Sequence, residues 1–141
     1  MSGKSFLDTN IFVYSMNRSE ERKSAVACEL IETHVARRSG VISFQVVQEF
    51  FSVAFRRFPL AMQPDDAESY LTTVLRPFLS IHSSIGLYHG ALSIRGRYQL
   101  AWYDSLIVAA AAEAGCSVIY TEDLQHGAKI AGVRIVNPFI P

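Results

Sequence analysis

Residues 5–15 read SFLDTNIFVYS. Ser5, Phe6 and Leu7 have the character of a short buried strand, Asp8 ends it, and from Asn10 to Ser15 the chain turns into a helical segment. A strand that stops on an aspartate puts a charged group at a strand end.

Read outward from that junction, the chain repeats the same alternation. Val26, Ala27, Leu30, Ile31 and Val35 form a helical stripe within Ser24–Arg38, and Gly40 is the expected stop. Val41–Ser43 is a second short strand. Val46, Val47, Phe50, Phe51, Ala54, Phe55 and Phe58 then recur at helical spacing up to Pro59, and Glu49 rides on this helix with Gln45, Ser52 and Arg56 on its less apolar side. Pro64, Asp65 and Asp66 start another helix, because proline lacks the N–H that a first turn cannot use and acids suit the helix dipole there. It should run to about Arg76. His82–Arg95 is expected to be helical with a break at Gly96. Tyr103–Ala114 is an alanine-rich helix closed by Gly115, with Asp104 in its first turn. Ser117–Tyr120 is a strand, Thr121–Gly127 a polar turn, and Val133–Val136 a final strand.

Strands alternating with helices predict an α/β fold, a mostly parallel sheet with helices on both faces. In such folds sites form in the crevice outside the carboxyl ends of the strands. Asp8 and Asp123 each follow a strand directly, so both are expected to face that crevice.

Composition narrows the function classes. The 141 residues suit one domain over 1–141, and a 50% hydrophobic, 18% charged chain excludes a disordered tail. Thirteen basic residues balance 13 acidic ones, so any polyanion must be held by a local patch, by a metal, or by both. The N-terminal apolar stretch is broken by Asp8 and Asn10, unlike an export signal. The run Leu106–Ala112 is far short of the roughly 20 residues that cross a bilayer. These features predict a soluble, cytoplasmic protein with no membrane segment. Cys28 and Cys116 lack the paired spacing of a zinc site and are expected to be buried free thiols. His34, His82, His89 and His126 lack ligand spacing and are read as surface or structural.

Taken singly, the acids have plain structural explanations. Asp8 can cap the helix after it, Asp104 can sit in a first turn for the dipole, Asp123 can bond its own turn, and Glu49 can be a solvated surface residue. Together they differ: four acids on separate elements meet only at the crevice, where like charges repel unless a cation neutralises them. Oxygen-only ligands suit Mg²⁺ or Mn²⁺ rather than zinc.

The words FLDTN, VVQEF, WYDSLIVAAA and YTEDLQHG, in this order and spacing across essentially the whole chain, resemble the PIN-domain family, especially the VapC-like toxins of bacterial toxin–antitoxin pairs. The resemblance implies a three-layer α/β/α fold around a central mostly parallel sheet. It implies a metal-dependent endoribonuclease with Asp8, Glu49, Asp104 and Asp123 as both catalytic and Mg²⁺- or Mn²⁺-binding residues. Asn10, Ser105 and Thr121 match polar positions that orient ligands or bind substrate phosphate, and Glu122 would be an auxiliary acid. Gln125 departs from the pattern, since many members place a further carboxylate there. The implied reaction is in-line hydrolysis leaving a 5′-phosphate and a 3′-OH.

For RNA, Arg18, Lys23, Arg56, Arg57, Arg95 and Arg97 are candidate phosphate contacts, and Tyr98, Trp102 and Tyr103 candidates for base stacking. The apolar excess on the helix from Gln45 to Phe58 and on the helix after Pro64 suggests a homodimer and a groove for an amphipathic antitoxin segment. Two rival readings are an aspartyl-phosphate phosphatase, which expects an acid where Asn10 stands, and a degenerate binding module whose acids serve structure alone.

Overall fold

The computed structural model describes residues 3–56 and 62–141. Six strands, β1 (Lys4–Leu7), β2 (Gly40–Ser43), β3 (Leu79–Ile81), β4 (Cys116–Tyr120), β5 (Lys129–Ile130) and β6 (Val133–Val136), form one sheet in the order β3-β2-β1-β4-β6-β5. Every pairing is parallel except β5 with β6. The helices are α1 (Thr9–Met16), α2 (Glu21–Arg37), α3 (Phe44–Arg56), α4 (Pro64–Tyr70), which continues as a π-helical turn over Leu71–Leu75, α5 (Ile85–Tyr98) and α6 (Trp102–Glu113). The expected α/β architecture is therefore present.

The strand order locates the crevice. From β1 the chain steps outward through β2 to β3, then crosses back to β4 on the other side of β1. Parallel crossovers are right-handed, so this reversal assigns α1–α4 to one face of the sheet and α5 and α6 to the other. Accordingly α1 packs on α2 and α3, while α5 packs on α6, which lies along β2, β4 and β6. The reversal falls between β1 and β4, where α/β sheets open a ligand crevice. Leu7 pairs with Tyr120, so Asp8 and Thr121 leave the sheet side by side, and the Asp8 amide donates to the Tyr120 carbonyl at 3.0 Å.

Beneath that rim the strands are apolar. Phe6, Leu7, Ile42, Ile119 and Ile135 are fully buried, each worth roughly 1.5–3 kcal/mol of transfer free energy. Phe12 and Phe78 meet edge to face at 5.8 Å and close the core on the α1 side. Cys116 is buried, but Cys28 is only partly so, a correction to the expected burial of both free thiols. Among the described residues no helix is long and apolar enough to cross a membrane.

Several local expectations are corrected. Gly40 does not stop α2; Arg38 does, with a left-handed φ of 53°. Gly40 instead lies in β2, where an added Cβ would collide with the ring of Phe78. Gly40→Ala is accordingly expected to destabilise the protein by about 1–3 kcal/mol through overpacking, read as a lowered urea midpoint with an unchanged m-value. Gly96 does not break α5: nothing lies within 4 Å of the space a side chain would fill, so it costs only helix propensity, and Gln99 at φ 58° ends the helix. The helix begins at Ile85, later than expected, because the Ser84 hydroxyl caps it by accepting from the Leu87 amide at 3.0 Å. Strands β3 and β5 were not foreseen. The alternation also ends early, since β5 and β6 form a hairpin across Ala131 (φ 51°) and Gly132 (φ 82°) with no helix between them. Phe58 and Pro59, where the third helix was expected to end, lie outside the described residues.

Candidate active site

Asp8 follows β1 and caps α1: its Oδ1 accepts from the Thr9 amide at 2.7 Å. Its Oδ2 accepts from the Thr121 hydroxyl, also at 2.7 Å, and the carboxylate is 5% exposed. The capping role and the site role thus coexist, because each carboxylate oxygen keeps a further lone pair. Burial is the largest influence on this carboxyl and pushes its pKa up to about 7; the two hydrogen bonds oppose the rise, while the charges of Asp123 and Glu49 add to it.

Thr121 does more than support Asp8. Its hydroxyl oxygen also accepts the Asp123 amide at 3.0 Å, so one buried side chain sets both acids at the carboxyl ends of β1 and β4. Asp123 is exposed, and its carboxylate accepts from Asn10 Nδ2 at 3.3 Å. Burial and then the charges of Glu122 and Glu49 hold Asp123 above the usual carboxylate range. Asn10 Oδ1 is buried with no partner among the described residues.

Glu49 reaches the same place from α3. Its Oε1 accepts from the Thr9 hydroxyl at 2.7 Å and its Oε2 from Gln45 Nε2 at 3.2 Å, so it is a held, half-buried group rather than a solvated one. Gln45, expected on the polar side of this helix, is 4% exposed, and its amide also donates to the Tyr103 carbonyl at 3.2 Å, tying α3 to the start of α6. Asp104 stands in the first turn of α6, half-buried, and no hydrogen-bond donor among the described residues reaches its carboxylate. Burial, then the charges of Asp123 and Glu49, raise its pKa.

Glu49 and Asp123 therefore act on both Asp8 and Asp104, and no basic side chain among the described residues offsets the rise at Asp8, Asp104 or Asp123. Glu49 and Asp123 line a cleft of about 730 Å³ together with Asn10, Tyr14, Ser52 and Arg56. Among the described residues no three His, Cys, Asp or Glu side chains form a ready-made cation cage. The all-oxygen donor set, the mutual repulsion and the unpartnered Asn10 Oδ1 fit a hard divalent cation.

Other sequence candidates fare differently. Ser105 is fully buried and its hydroxyl donates at 2.9 Å to the carbonyl of Ala101, the residue that precedes α6. Glu122, read as an auxiliary acid, is bound to Lys23 and Tyr14, and although burial acts against them their hydrogen bonds lower its pKa. Trp102 is half-buried and stacks on Tyr88 at 6.4 Å, and the Tyr98 hydroxyl accepts from the Ala131 amide at 3.1 Å, whereas Tyr103 is 65% exposed beside Asp104. Arg57 lies outside the described residues. The reading from sequence missed Thr9 and Gln45. Gln45 stands one helical turn before Glu49, a spacing that could have revealed it; Thr9, 40 positions from Glu49, carries no such local signal.

A family model described as the PIN domain matches residues 5–131. No curated protein matches the chain significantly. Among solved structures, a toxin–antitoxin complex from Klebsiella pneumoniae aligns at 19% identity and TM-score 0.66, covering 96% of this chain and 98% of the other. VapC20 of Mycobacterium tuberculosis, described as a sarcin–ricin loop cleaving toxin, aligns at 18% identity and TM-score 0.62, covering 85% and 90%. VapBC2 from Rickettsia felis, bound to a DNA fragment from its promoter, aligns at 19% identity and TM-score 0.63, covering 93% and 96%. At these identities the likeness is one of fold.

Proposed function

Because the chain belongs to the PIN-domain family, we propose that it is a Mg²⁺- or Mn²⁺-dependent endoribonuclease acting through Asp8, Glu49, Asp104 and Asp123, and the toxin of a toxin–antitoxin pair. The observation that carries this reading is the linkage of Asp8 to Glu49 through Thr9 and to Asp123 through Thr121 at the strand-order reversal, with the Asp104 carboxyl raised by the charges of Asp123 and Glu49. A nuclease needs such a concentration of negative charge only if divalent cations are to be held against a phosphodiester.

A bound divalent ion would supply Lewis-acid polarisation of the phosphate and a water acidic enough to attack at neutral pH. The chain's own contribution is geometric. Thr9 ties Asp8 to Glu49 through its amide and hydroxyl, Thr121 ties Asp8 to Asp123, and Asn10 orients the Asp123 carboxylate. Products with a 5′-phosphate and a 3′-OH are expected, because in this reading water attacks phosphorus, the 3′ oxygen leaves as the 3′-OH, and the ribose 2′-OH takes no part.

Substrate contacts follow from the lining of the cleft. Of the candidate cations, Arg56 lines it, with its guanidinium bonded to Ser52 one turn back on α3, while Lys23 is engaged by Glu122. Tyr103 is the aromatic free to stack on an unpaired base. On an Asp8→Ala background, Arg56→Ala is expected to flatten the slope of log K against log salt for single-stranded RNA by about 0.7, one phosphate contact. Tyr103→Ala should cost about 1–3 kcal/mol with little change in that slope. Filter binding across a salt series checks both.

The toxin role is supported by the fold shared with proteins described as toxins. On α3 and the turn after α4, Phe55 (52% exposed) and Leu71 (38%) leave apolar surface for a second copy or an amphipathic antitoxin segment. The test of the whole reading is cleavage of a labelled total RNA pool in Mg²⁺ or Mn²⁺ by the wild type, Asp8→Ala and Asp104→Ala, with EDTA as control. Cuts lost in both variants and in EDTA support the nuclease, whereas identical traces from all three proteins leave a binding module.

A further inference from the structure

Glu122 sits between Thr121 and Asp123, and its carboxylate is held by side chains of α1 and α2. Oε1 accepts from the Tyr14 hydroxyl at 2.7 Å and Oε2 from Lys23 Nζ at 2.6 Å. Lys23 also donates to the Tyr14 hydroxyl at 3.1 Å and stands 4.6 Å from the centre of the Tyr14 ring. Phe139 closes the cluster, edge-on to Tyr14 at 4.9 Å and 5.7 Å from the ammonium, and Arg22 anchors it by donating to the Phe139 carbonyl at 2.8 Å.

We infer that Tyr14 and Lys23 form a positioning brace which, through Glu122, fixes the turn after β4 and thereby sets Asp123 at the acidic centre. Leu124, Gly127 and His126 hold the turn after Asp123, through core burial, a bond to the Ile135 carbonyl and a bond from the Asn137 amide, and two contacts hold it just before Asp123. Inside, Thr121 bonds Asp8 and the Asp123 amide. Outside, Glu122 bonds α1 through Tyr14 and α2 through Lys23. Asp123 itself is exposed, and its carboxylate has only the 3.3 Å contact from Asn10 among the described residues. Its position is therefore decided by its neighbours. The Lys23 and Glu122 side chains are 25% and 28% exposed, and Lys23, which also stands 4.0 Å from Glu20, makes a short charge-assisted bond to Glu122 beside the Tyr14 ring. Lys23 is thus assigned to the fold of the site rather than to RNA.

The inference rests on the site reading above, and its test separates the two. Lys23→Met, Lys23→Arg and Tyr14→Phe are compared with wild type in three measurements: hydrogen exchange over residues 121–127 in EDTA, Mn²⁺ binding by calorimetry, and RNA cleavage kinetics. Lys23→Met is expected to speed exchange in the turn and to lower both Mn²⁺ affinity and kcat by about 10–100-fold, with KM for RNA unchanged. Lys23→Arg should restore most of the loss. Tyr14→Phe removes one hydroxyl, and should shift the same readouts in the same direction by less; it serves if Lys23→Met does not fold. Exchange and Mn²⁺ affinity equal to wild type in Lys23→Met would overturn the brace, as would a raised KM with unchanged kcat, the signature of an RNA contact. A wild type that neither binds Mn²⁺ nor cuts RNA, beside a loosened turn in Lys23→Met, would sink the nuclease reading and keep the brace.

Discussion

In EDTA the protein is expected to lose up to about 4 kcal/mol of stability as the pH rises from about 4 to about 7, because Asp8 titrates at 3.8 when unfolded and at about 7 when buried. Within that window the unfolded chain has released the Asp8 proton while the native state still holds it. Raising the pH therefore favours unfolding: the contribution is complete below the unfolded pKa and gone above the folded one. Asp104 and Asp123, also raised, act in the same direction. Asp8→Asn should remove most of this slope and be more stable than wild type at pH 7.5. The amide can still accept from the Thr9 amide, and its NH₂ can donate to the Thr121 hydroxyl oxygen in place of the bond now received from it. Mn²⁺ should stabilise the wild type at that pH and leave Asp8→Asn nearly unmoved, as expected of an ion that binds only the native state. Urea midpoints at pH 5 and 7.5, with and without Mn²⁺, check all of this. A wild type as stable at 7.5 as at 5 in EDTA would mean that burial does not hold the proton on Asp8.

Asp104→Asn is expected to lower kcat for RNA cleavage by about a thousandfold while leaving KM and metal-free stability close to wild type. The size follows if the lost carboxylate removes roughly 4 kcal/mol of cation-mediated transition-state stabilisation. The specificity follows from the structure. Truncating Asp8 would remove the α1 cap and truncating Glu49 the bond from Thr9, whereas no hydrogen bond among the described residues depends on the Asp104 carboxylate. Replacing it relieves repulsion from Asp123 and Glu49 and breaks no local contact. Single-turnover kinetics beside thermal melts in EDTA separate the two effects. Wild-type kcat in Asp104→Asn would remove Asp104 from the reaction.

Much of the molecule was legible from residue order. Apolar periodicity marked α2, α3 and α6, and β-branched runs marked β2, β4 and β6, because burial on one face imposes a repeat of its own on the chain. The alternation predicted a parallel sheet, and a parallel sheet predicted that Asp8 and Asp123 would share a crevice. Glu49 and Asp104 were legible only through the resemblance of their surrounding words to a known family. Two-residue β5 and three-residue β3 were not legible, since strands so short carry too little pattern. The αL positions at Arg38, Gln99 and Ala131 are likewise set by the packing that follows them rather than by residue preference.

What the sequence by itself determined is the layer architecture, because that depends on hydrophobic period, and the place of Asp8 directly after β1. What only the tertiary structure decided is how the acids are held: Thr9 on Glu49, Thr121 between Asp8 and Asp123, Gln45 on Tyr103, and Lys23 with Tyr14 on Glu122. Most of these contacts join residues far apart in the chain. A hydrogen bond depends on distance in space, and that distance exists only once the strand order has brought β1 and β4 together.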